Sequence, residues 1–145
     1  MTRKLKVLGR VRDARQKQRD LSAAEASAAE AHEYAAELER ERARQALEAL
    51  YEQSAARLQA AGGVRALLEL ESERHSLTHY LEETRRAHEQ AVQRGNEKRA
   101  ALREHERALR TSEKLIEREE TTLDSAERRD EQRATDDFVA GRYSA

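Results

Sequence analysis

Residues 69–83, with the sequence ELESERHSLTHYLEE, hold the side chains of this chain that come closest to a metal site. His75 and His79 are four residues apart, so on a helix they share a face, near Glu71 and either Glu82 or Glu83. Imidazole and carboxylate ligands at this spacing suit a transition metal. No further ligand closes the set, however. The pattern therefore favours a polar helix face, and we predict no metal site and no cofactor.

Catalytic chemistry has little support in the sequence. There is no GxxxxGK[ST] loop for nucleotide phosphates and no HExxH motif for a zinc protease. The chain has no cysteine, which removes thiolate nucleophiles, disulfides and cysteine-based zinc sites. No nucleophile can be paired with a base by its spacing. We therefore predict that the chain is not an enzyme.

The first 19 residues form a basic segment. Eight basic side chains stand there against the single acidic residue Asp13, whereas residues 20–90 are net acidic. Such a segment could bind nucleic acid or anionic lipid, but it lacks an aromatic residue for base stacking. The sequence favours solvated charge or pairing within the hairpin, with docking on a partner as the alternative. The basic residues are Arg3, Lys4, Lys6, Arg10, Arg12, Arg15, Lys17 and Arg19.

Apolar bulk is concentrated in two places. Phe138, the only phenylalanine, stands near the end with Val139 and Tyr143, as either a helical anchor or a frayed tail. The larger group is either the interior of a helix pair or an exposed docking patch, and both interpretations remain open. It comprises Leu47, Leu50, Tyr51, Leu67, Leu68, Leu70, Leu77, Tyr80 and Leu81.

The composition indicates long helices rather than a globular core. Charged residues make up 39% of the chain and aromatic residues only 3%, so large side chains for a compact core are scarce. Proline is absent, and alanine, leucine, glutamate and arginine, which favour helix, dominate. This combination is typical of coiled coils.

Apolar residues recur at heptad spacing in both halves of the chain. The first half is predicted to pack through Val7, Ala14, Leu21, Ala28 and Ala35 with Ala24, Ala31 and Leu38, before a phase slip to Leu47, Leu50 and Leu58. In the second half, one row is Leu81, Leu102, Leu109, Ile116 and Leu123. Its companion row is Leu70, Leu77, Thr84, Ala91, Lys98, His105, Ser112, Glu119 and Ala126.

Gly62 and Gly63 form the only Gly-Gly pair, and they predict a turn between two helices. The predicted fold class is all-α: a long antiparallel two-helix coiled-coil hairpin with a C-terminal helical overhang. We expect a single domain over residues 1–145, with helix 1 at about 3–61, the turn at 62–63, helix 2 at about 64–140 and a frayed tail at 141–145. The basic segment 3–19 then opposes residues 106–122, which are rich in glutamate. Neither a signal peptide nor a transmembrane segment is predicted.

The layout resembles the FliJ/YscO family, the coiled-coil stalk proteins of bacterial type III secretion in flagella and injectisomes. The resemblance covers nearly the whole chain. It rests on an LKVL-type start, a basic and then acidic first helix, Leu47 and Tyr51 before the Gly turn, and an apolar start to helix 2. Near the end, AERRDEQRATDDFVAGR is similar to the family's ending, with Asp136, Asp137 and Phe138 in matching places.

The resemblance implies a non-enzymatic central stalk that couples a hexameric secretion ATPase to the export gate. It implies a cytoplasmic location, peripheral to the inner-membrane export apparatus, and some family members also bind secretion chaperones. The ATPase-facing residues would be Arg3, Lys4, Lys6, Arg10, Arg12, Arg15, Ile116, Leu123 and Phe138. Residues facing the cytoplasmic domain of the export gate would be Leu47, Tyr51, Leu70, Leu77 and Tyr80.

Two other interpretations stand beside this one. A generic cytosolic coiled-coil scaffold or homo-oligomer would have the same composition and periodicity. A nucleic-acid or anionic-lipid binder would use the basic N-terminal segment, although no nucleic-acid partner is expected because aromatic stacking residues are missing there.

Overall fold

The computed structural model describes residues 2–60 and 62–143. Helix α1 spans Arg3–Ala60 with 58 residues, and helix α2 spans Val64–Tyr143 with 80 residues. The two helices pack against each other, and no strand occurs in the described residues. The predicted all-α, two-helix hairpin is confirmed. Helix α2 includes residues 141–143 of the predicted tail, while Ser144 and Ala145 lie outside the described residues.

The helices begin and end where the local sequence satisfies their free backbone groups. Thr2 caps α1, because its Oγ1 accepts a hydrogen bond of 3.2 Å from the backbone N–H of Leu5. At the turn, Gly63 has a φ of 124°, a region that residues with a Cβ rarely adopt. The Gly63 carbonyl then accepts a hydrogen bond of 3.2 Å from the Leu67 N–H and so starts α2. Glycine is therefore required at the point where the chain reverses.

Contacts between the helices group the chain into two compact units. The terminal unit contains the described residues of Met1–Ser22 and Leu102–Ala145, and the turn unit contains the described residues of Ala23–Ala101. In the turn unit, His88 pairs with Glu37 at 2.9 Å, and both residues are equally far along the chain from the Gly pair. In the terminal unit, Lys4 pairs with Glu119 at 2.9 Å. In the turn unit, Arg57 of α1 pairs with Glu73 and the earlier Glu37 with the later His88. In the terminal unit, Arg15 contacts Ser112 and the earlier Lys4 the later Glu119, so the pairing in each unit is antiparallel.

Both predicted rows of α2 face α1. Leu70, Thr84, Ala91, Leu109 and Ser112 are buried. The other members, apart from Ala126, are at least half-buried: Leu77, Leu81, Lys98, Leu102, His105, Ile116, Glu119 and Leu123. Ala126 is exposed, as are the described side chains from Glu127 to Arg142. The burial of α2 therefore ends well before the helix does, which leaves the predicted overhang.

The predicted seam of the first half of α1 is wrong. All eight of its members, Val7, Ala14, Leu21, Ala24, Ala28, Ala31, Ala35 and Leu38, are exposed. The residues that face α2 instead follow two other heptad rows. One row is Leu5, Arg12, Arg19, Ala26, Glu33 and Leu47, and the other is Leu8, Arg15, Ser22, Ala29, Ala36, Ala43 and Leu50. Leu47 and Leu50 lie whole heptads beyond Leu5 and Leu8, but the first row is interrupted at Arg40, which is exposed between the half-buried Glu39 and Glu41.

Small side chains form the core of the turn unit at its middle. Ala26, Ala29 and Ala91 are buried there, and so is Gly95 of α2. A Cβ at Gly95 would overlap the Glu33 carboxylate of α1. The glycine, which lowers the helix propensity of α2, therefore makes space for a carboxylate in the seam.

The corrected seam predicts different costs for two leucines of the terminal unit. Leu109→Ala removes a buried side chain and should lower the free energy of unfolding by about 2–4 kcal/mol. Leu21→Ala, whose side chain is 68% exposed, should change it by less than about 0.5 kcal/mol. Urea unfolding followed by circular dichroism measures both. Equal costs would contradict the corrected seam.

Glycine substitution should separate helix propensity from the space that Gly95 provides. Gly9→Ala meets nothing within 4 Å and should stabilise the chain by about 1 kcal/mol. Gly95→Ala gains the same propensity but displaces Glu33, so its stabilisation should be smaller or reversed. In a Glu33→Ala background, Gly95→Ala should recover the stabilisation that Gly9→Ala gives. Thermal unfolding of the four variants tests this, and identical effects of Gly9→Ala and Gly95→Ala would exclude a steric role for Glu33.

Candidate interaction surfaces

Three arginines of the basic segment lie in the seam of the terminal unit rather than on its outer face. Arg15 donates from Nη1 to the Ala108 carbonyl at 2.8 Å and to Ser112 Oγ at 2.6 Å. Ser112 is only 1% exposed, so this hydrogen bond lies in the interior of the helix pair. Arg12 and Arg19 are half-buried on the same face of α1. The guanidinium groups of Arg12 and Arg19 pair at 3.1 Å with Asp13 and Asp20 of the same helix, whereas Arg15 hydrogen-bonds across the seam to α2.

The remaining basic side chains divide into paired and unpaired groups. Lys4 forms an ion pair with Glu119. Among the described residues, this is the one ion pair between the basic segment and the glutamate-rich residues 106–122 predicted to lie opposite it. Arg3, Lys6 and Arg10 are exposed, and no ion pair within the described residues involves them. Lys6 and Arg10 border a groove that is also lined by Leu5, Ile116 and Glu120. An exposed basic surface therefore remains on the terminal unit.

The α2 residues predicted to face the ATPase differ in exposure. Ile116 and Leu123 are half-buried in the seam and support α1. Phe138 is 69% exposed in the overhang, where Val139 is also exposed. Of the predicted ATPase-facing residues of α2, only Phe138 presents most of its side chain to solvent.

Four of the five residues predicted to face the export gate contribute to the seam of the turn unit. Leu70 is buried, and Leu47 and Leu77 are half-buried. Tyr80 is half-buried as well, and its hydroxyl donates to the Glu39 carboxylate of α1. This hydrogen bond raises the pKa of Tyr80. Only Tyr51, 55% exposed, presents its side chain to solvent.

The exposed apolar surface next to the turn was only partly identified from the sequence. Val64, Leu67 and Leu68 are all exposed there, together with Tyr51. A groove beside them is lined by Leu50, Leu58, Leu67, Leu70, Tyr51 and Arg74. Val64 and Leu68 lie outside both heptad rows of α2, and this is the signal that could have marked them as exposed. The docking-patch interpretation therefore fits this cluster better than the five residues first chosen.

Ion pairs join the two helices throughout the turn unit. Arg57 binds Glu73 through two hydrogen bonds of 2.7 and 2.8 Å close to the turn, and this lowers the pKa of Glu73. Arg99 binds Glu33 at 2.9 Å beside Gly95. Charged pairs at the borders of a helix seam fix its register more than they add stability, because exposed pairs contribute little. A further cross-helix pair joins Lys98 to Glu25 at 3.0 Å.

His79 of the possible metal site pairs with a carboxylate of its own helix. His79 contacts Glu83 at 3.0 Å along the same helix. Within residues 2–60 and 62–143, no group of three or more histidine, aspartate or glutamate side chains is arranged to hold a metal ion. In the same residues, no helix has the length and apolar character needed to cross a bilayer.

A comparison with protein families gives a match to the model described as flagellar FliJ protein, over residues 4–145. The chain belongs to the FliJ family. The match spans both helices and confirms the resemblance inferred from the sequence. No curated protein and no solved structure matches this FliJ-family chain. FliJ-family membership makes it a structural component of flagellar or related type III export.

The pH dependence of stability should follow the paired carboxylates of the turn unit. A hydrogen bond from Arg85 lowers the pKa of Glu82 to about 2, against an ordinary 4.5. A group with a lowered folded-state pKa stabilises the fold above its unfolded pKa, and this stabilisation is lost as pH falls through the folded value. The thermal midpoint should therefore decline between about pH 4.5 and pH 2.

Arg85→Gln removes the main cause of the shift at Glu82 and should make that decline shallower. Arg103→Gln is the matched control, because Arg103 is exposed and forms no ion pair within the described residues. Melting curves at several pH values compare the two variants. An unchanged slope in Arg85→Gln would show that the pairing is equally formed in the unfolded chain.

Proposed function

We propose that this chain is the central stalk of a type III export apparatus, which binds the hexameric secretion ATPase through its terminal unit and the export gate through its turn unit. The observation that carries the proposal is the family match over residues 4–145, across both helices of the hairpin. The chain would act by binding alone, as a non-enzymatic coupling protein in the cytoplasm beside the inner-membrane export apparatus.

The ATPase-binding role rests on the exposed part of the terminal unit. Arg3, Lys6 and Arg10 supply positive charge that no ion pair in the described residues neutralises. Phe138 supplies an exposed aromatic anchor on the overhang of α2. Arg15, Ile116 and Leu123 would contribute indirectly, because they lie in the seam between the two helices, while Arg12 pairs with Asp13 of α1. An acidic surface with an apolar pocket in the ATPase ring would match this end.

The gate-binding role rests on the exposed apolar residues next to the turn. Tyr51, Leu67 and Leu68 would contact the cytoplasmic domain of the gate, with the groove beside them accepting an apolar side chain. Leu47, Leu70, Leu77 and Tyr80 would position this patch from within the seam. Secretion chaperones are a further class of partner, which the family resemblance implies without assigning a surface.

Turnover of the cognate secretion ATPase, measured with and without the chain, tests the proposal. The wild-type chain should raise turnover and shift the ATPase to a ring-sized species. A triple variant, Arg3→Glu with Lys6→Glu and Arg10→Glu, should abolish both effects, because it reverses the unpaired charge. Its helix content should be unchanged, since these side chains lie outside the seam.

The matched control reverses three exposed arginines of α2, at Arg94, Arg103 and Arg110, and should retain stimulation. Loss of stimulation in both triple variants would indicate a requirement for net charge rather than for this surface. Absence of any stimulation or co-sedimentation with the wild-type chain would refute the ATPase-binding role.

A further inference from the structure

One face of α1 in the terminal unit points away from α2. The rows of α1 that pack on α2 begin at Leu5 and Leu8, and with about 3.6 residues per turn the opposite side of the helix presents seven residues between positions 3 and 21. All seven are exposed, four are basic, three are apolar and none is acidic. We name this set the basic face: Arg3, Lys6, Val7, Arg10, Ala14, Lys17 and Leu21.

The positive charge of the basic face is not neutralised within the described residues. None of its four cations forms an ion pair there. Asp13 and Asp20, the acidic residues of α1 in this unit, each pair at 3.1 Å with a neighbouring arginine outside the basic face. Glu120 of α2 lines the groove next to Lys6 and Arg10 but forms an ion pair with neither. The basic face therefore attracts an anionic partner.

The two helices of the terminal unit differ in charge. Residues 2–22 contain eight basic and two acidic residues, whereas residues 102–143 contain nine basic and twelve acidic residues. The excess of positive charge lies on α1, and the excess of negative charge lies on α2. An anionic surface attracts this unit through α1 and repels it through α2, which favours contact through the basic face.

Charged and apolar residues run side by side along the basic face. One row is Arg3, Arg10 and Lys17, and the adjacent row is Val7, Ala14 and Leu21, each with a spacing of seven residues. Helices that lie in the plane of a bilayer interface combine lysine and arginine with a line of apolar side chains in this way. The cations bind lipid phosphates, and the apolar side chains enter the boundary between headgroups and acyl chains.

Other anionic partners fit the basic face less well. The face holds no aromatic side chain, whereas the strongest contacts of protein interfaces and of single-stranded nucleic acid sites are commonly aromatic. The phosphates of a nucleic acid duplex would leave Val7 and Leu21 without an apolar contact. A bilayer surface uses both rows, because it offers charge at the headgroups and apolar surface directly beneath them.

We propose that the basic face of α1 binds the surface of an anionic phospholipid bilayer. Its arginines and lysines contact lipid phosphates, Val7 and Leu21 enter the acyl boundary, and α2 of the same unit faces away from the lipid. The inference goes beyond the proposed function. It shares Arg3, Lys6 and Arg10 with the proposed ATPase-binding surface, but it requires neither the ATPase nor the gate.

Co-sedimentation of the purified full-length chain with lipid vesicles tests this inference. The chain should bind vesicles made of phosphatidylglycerol and phosphatidylcholine in equal amounts. It should not bind vesicles of phosphatidylcholine alone, because their headgroups carry no net charge to attract the cations. High salt should weaken the binding, since exposed charges are screened. Absence of binding to the anionic vesicles at low salt would overturn the inference.

Neutralising two cations tests whether the basic face is the surface that binds. Arg10→Gln with Lys17→Gln should lower the affinity for anionic vesicles about tenfold or more, because each cation near the lipid surface contributes to binding. The matched control is Arg103→Gln with Arg110→Gln, which removes the same charge from exposed positions of α2 in the same unit. It should bind like the wild-type chain. An equal loss in both variants would show a dependence on net charge alone and would exclude the basic face as the binding surface.

Serine substitution tests the apolar row. Val7→Ser with Leu21→Ser should lower the affinity for anionic vesicles about tenfold, because less apolar surface enters the bilayer. The control is Leu115→Ser with Val139→Ser, which changes exposed apolar residues of α2 and should have no effect. Unchanged binding of the Val7 and Leu21 variant would contradict the entry of this row into the lipid.

A fluorescent label shows which helix contacts the lipid. Because the chain has no cysteine, Ala14→Cys and Thr111→Cys each give a single exposed site for an environment-sensitive dye, on the basic face and on α2 of the same unit. Anionic vesicles should shift the emission to shorter wavelength for the dye at position 14 and leave it unchanged at position 111. A shift at position 111 alone would overturn the orientation.

The vesicle experiments and the ATPase experiment have separate outcomes. Stimulation of the ATPase by a chain that does not bind anionic vesicles would refute the lipid inference alone and assign the basic face to a protein. Vesicle binding by a chain that does not stimulate or co-sediment with the ATPase would support the lipid inference and refute the ATPase-binding role alone.

Discussion

A two-helix hairpin can bury only one face of each helix, and the rest of this structure follows from that limit. Heptad rows that begin at Leu5 and Leu8 and continue to Leu47 and Leu50 determine which face of α1 turns toward α2. Every other row of α1 remains at the surface, including one that contains Val7 and Leu21. Exposed apolar residues are therefore an inherent product of this architecture, and their positions indicate where other molecules can bind.

The seam itself is rich in polar groups, and these fix the relative position of the helices. Arg15 reaches Ser112 in the terminal unit, and Arg99 reaches Glu33 in the turn unit, where Gly95 makes space for the carboxylate. If the seam contained only alanine, sliding one helix along the other by seven residues would give nearly the same packing. Polar groups that find partners in only one register remove that equivalence, at some cost in stability. The large apolar side chains that are buried beside the alanines are Leu50, Leu70 and Leu109.

The sequence was sufficient to predict the helical fold, the Gly turn and both packed rows of α2. It was not sufficient for the first half of α1, because alanine occurs at adjacent positions such as Ala28 and Ala29, and Ala35 and Ala36. Competing heptad rows could be drawn there, and Val7, Leu21 and Leu38 favoured the rows that the structure leaves exposed. The seam position of Arg15 could not be seen from residue type, since its charge suggested the surface.

Candidate binding residues were harder to predict than the fold for a related reason. Apolar bulk near the turn identified the right region, but it did not separate seam residues such as Leu70 from exposed ones such as Leu68. Val64 and Leu68 lie outside both packed rows of α2, which distinguishes them from Leu70, although Leu67 is exposed on the row of Leu81. In the terminal unit, Ile116 lies on a packed row and is half-buried, whereas Phe138 lies on neither row and is exposed.

The tyrosines of the chain are unevenly distributed between the two units. Tyr34, Tyr51 and Tyr80 belong to the turn unit, Tyr143 alone belongs to the terminal unit, and there is no tryptophan. Three of the four phenol groups, and with them about three quarters of the tyrosine absorption, therefore belong to the turn unit. The near-ultraviolet signal of the chain thus reports mainly on the turn unit, where the Tyr80 hydroxyl contacts the Glu39 carboxylate.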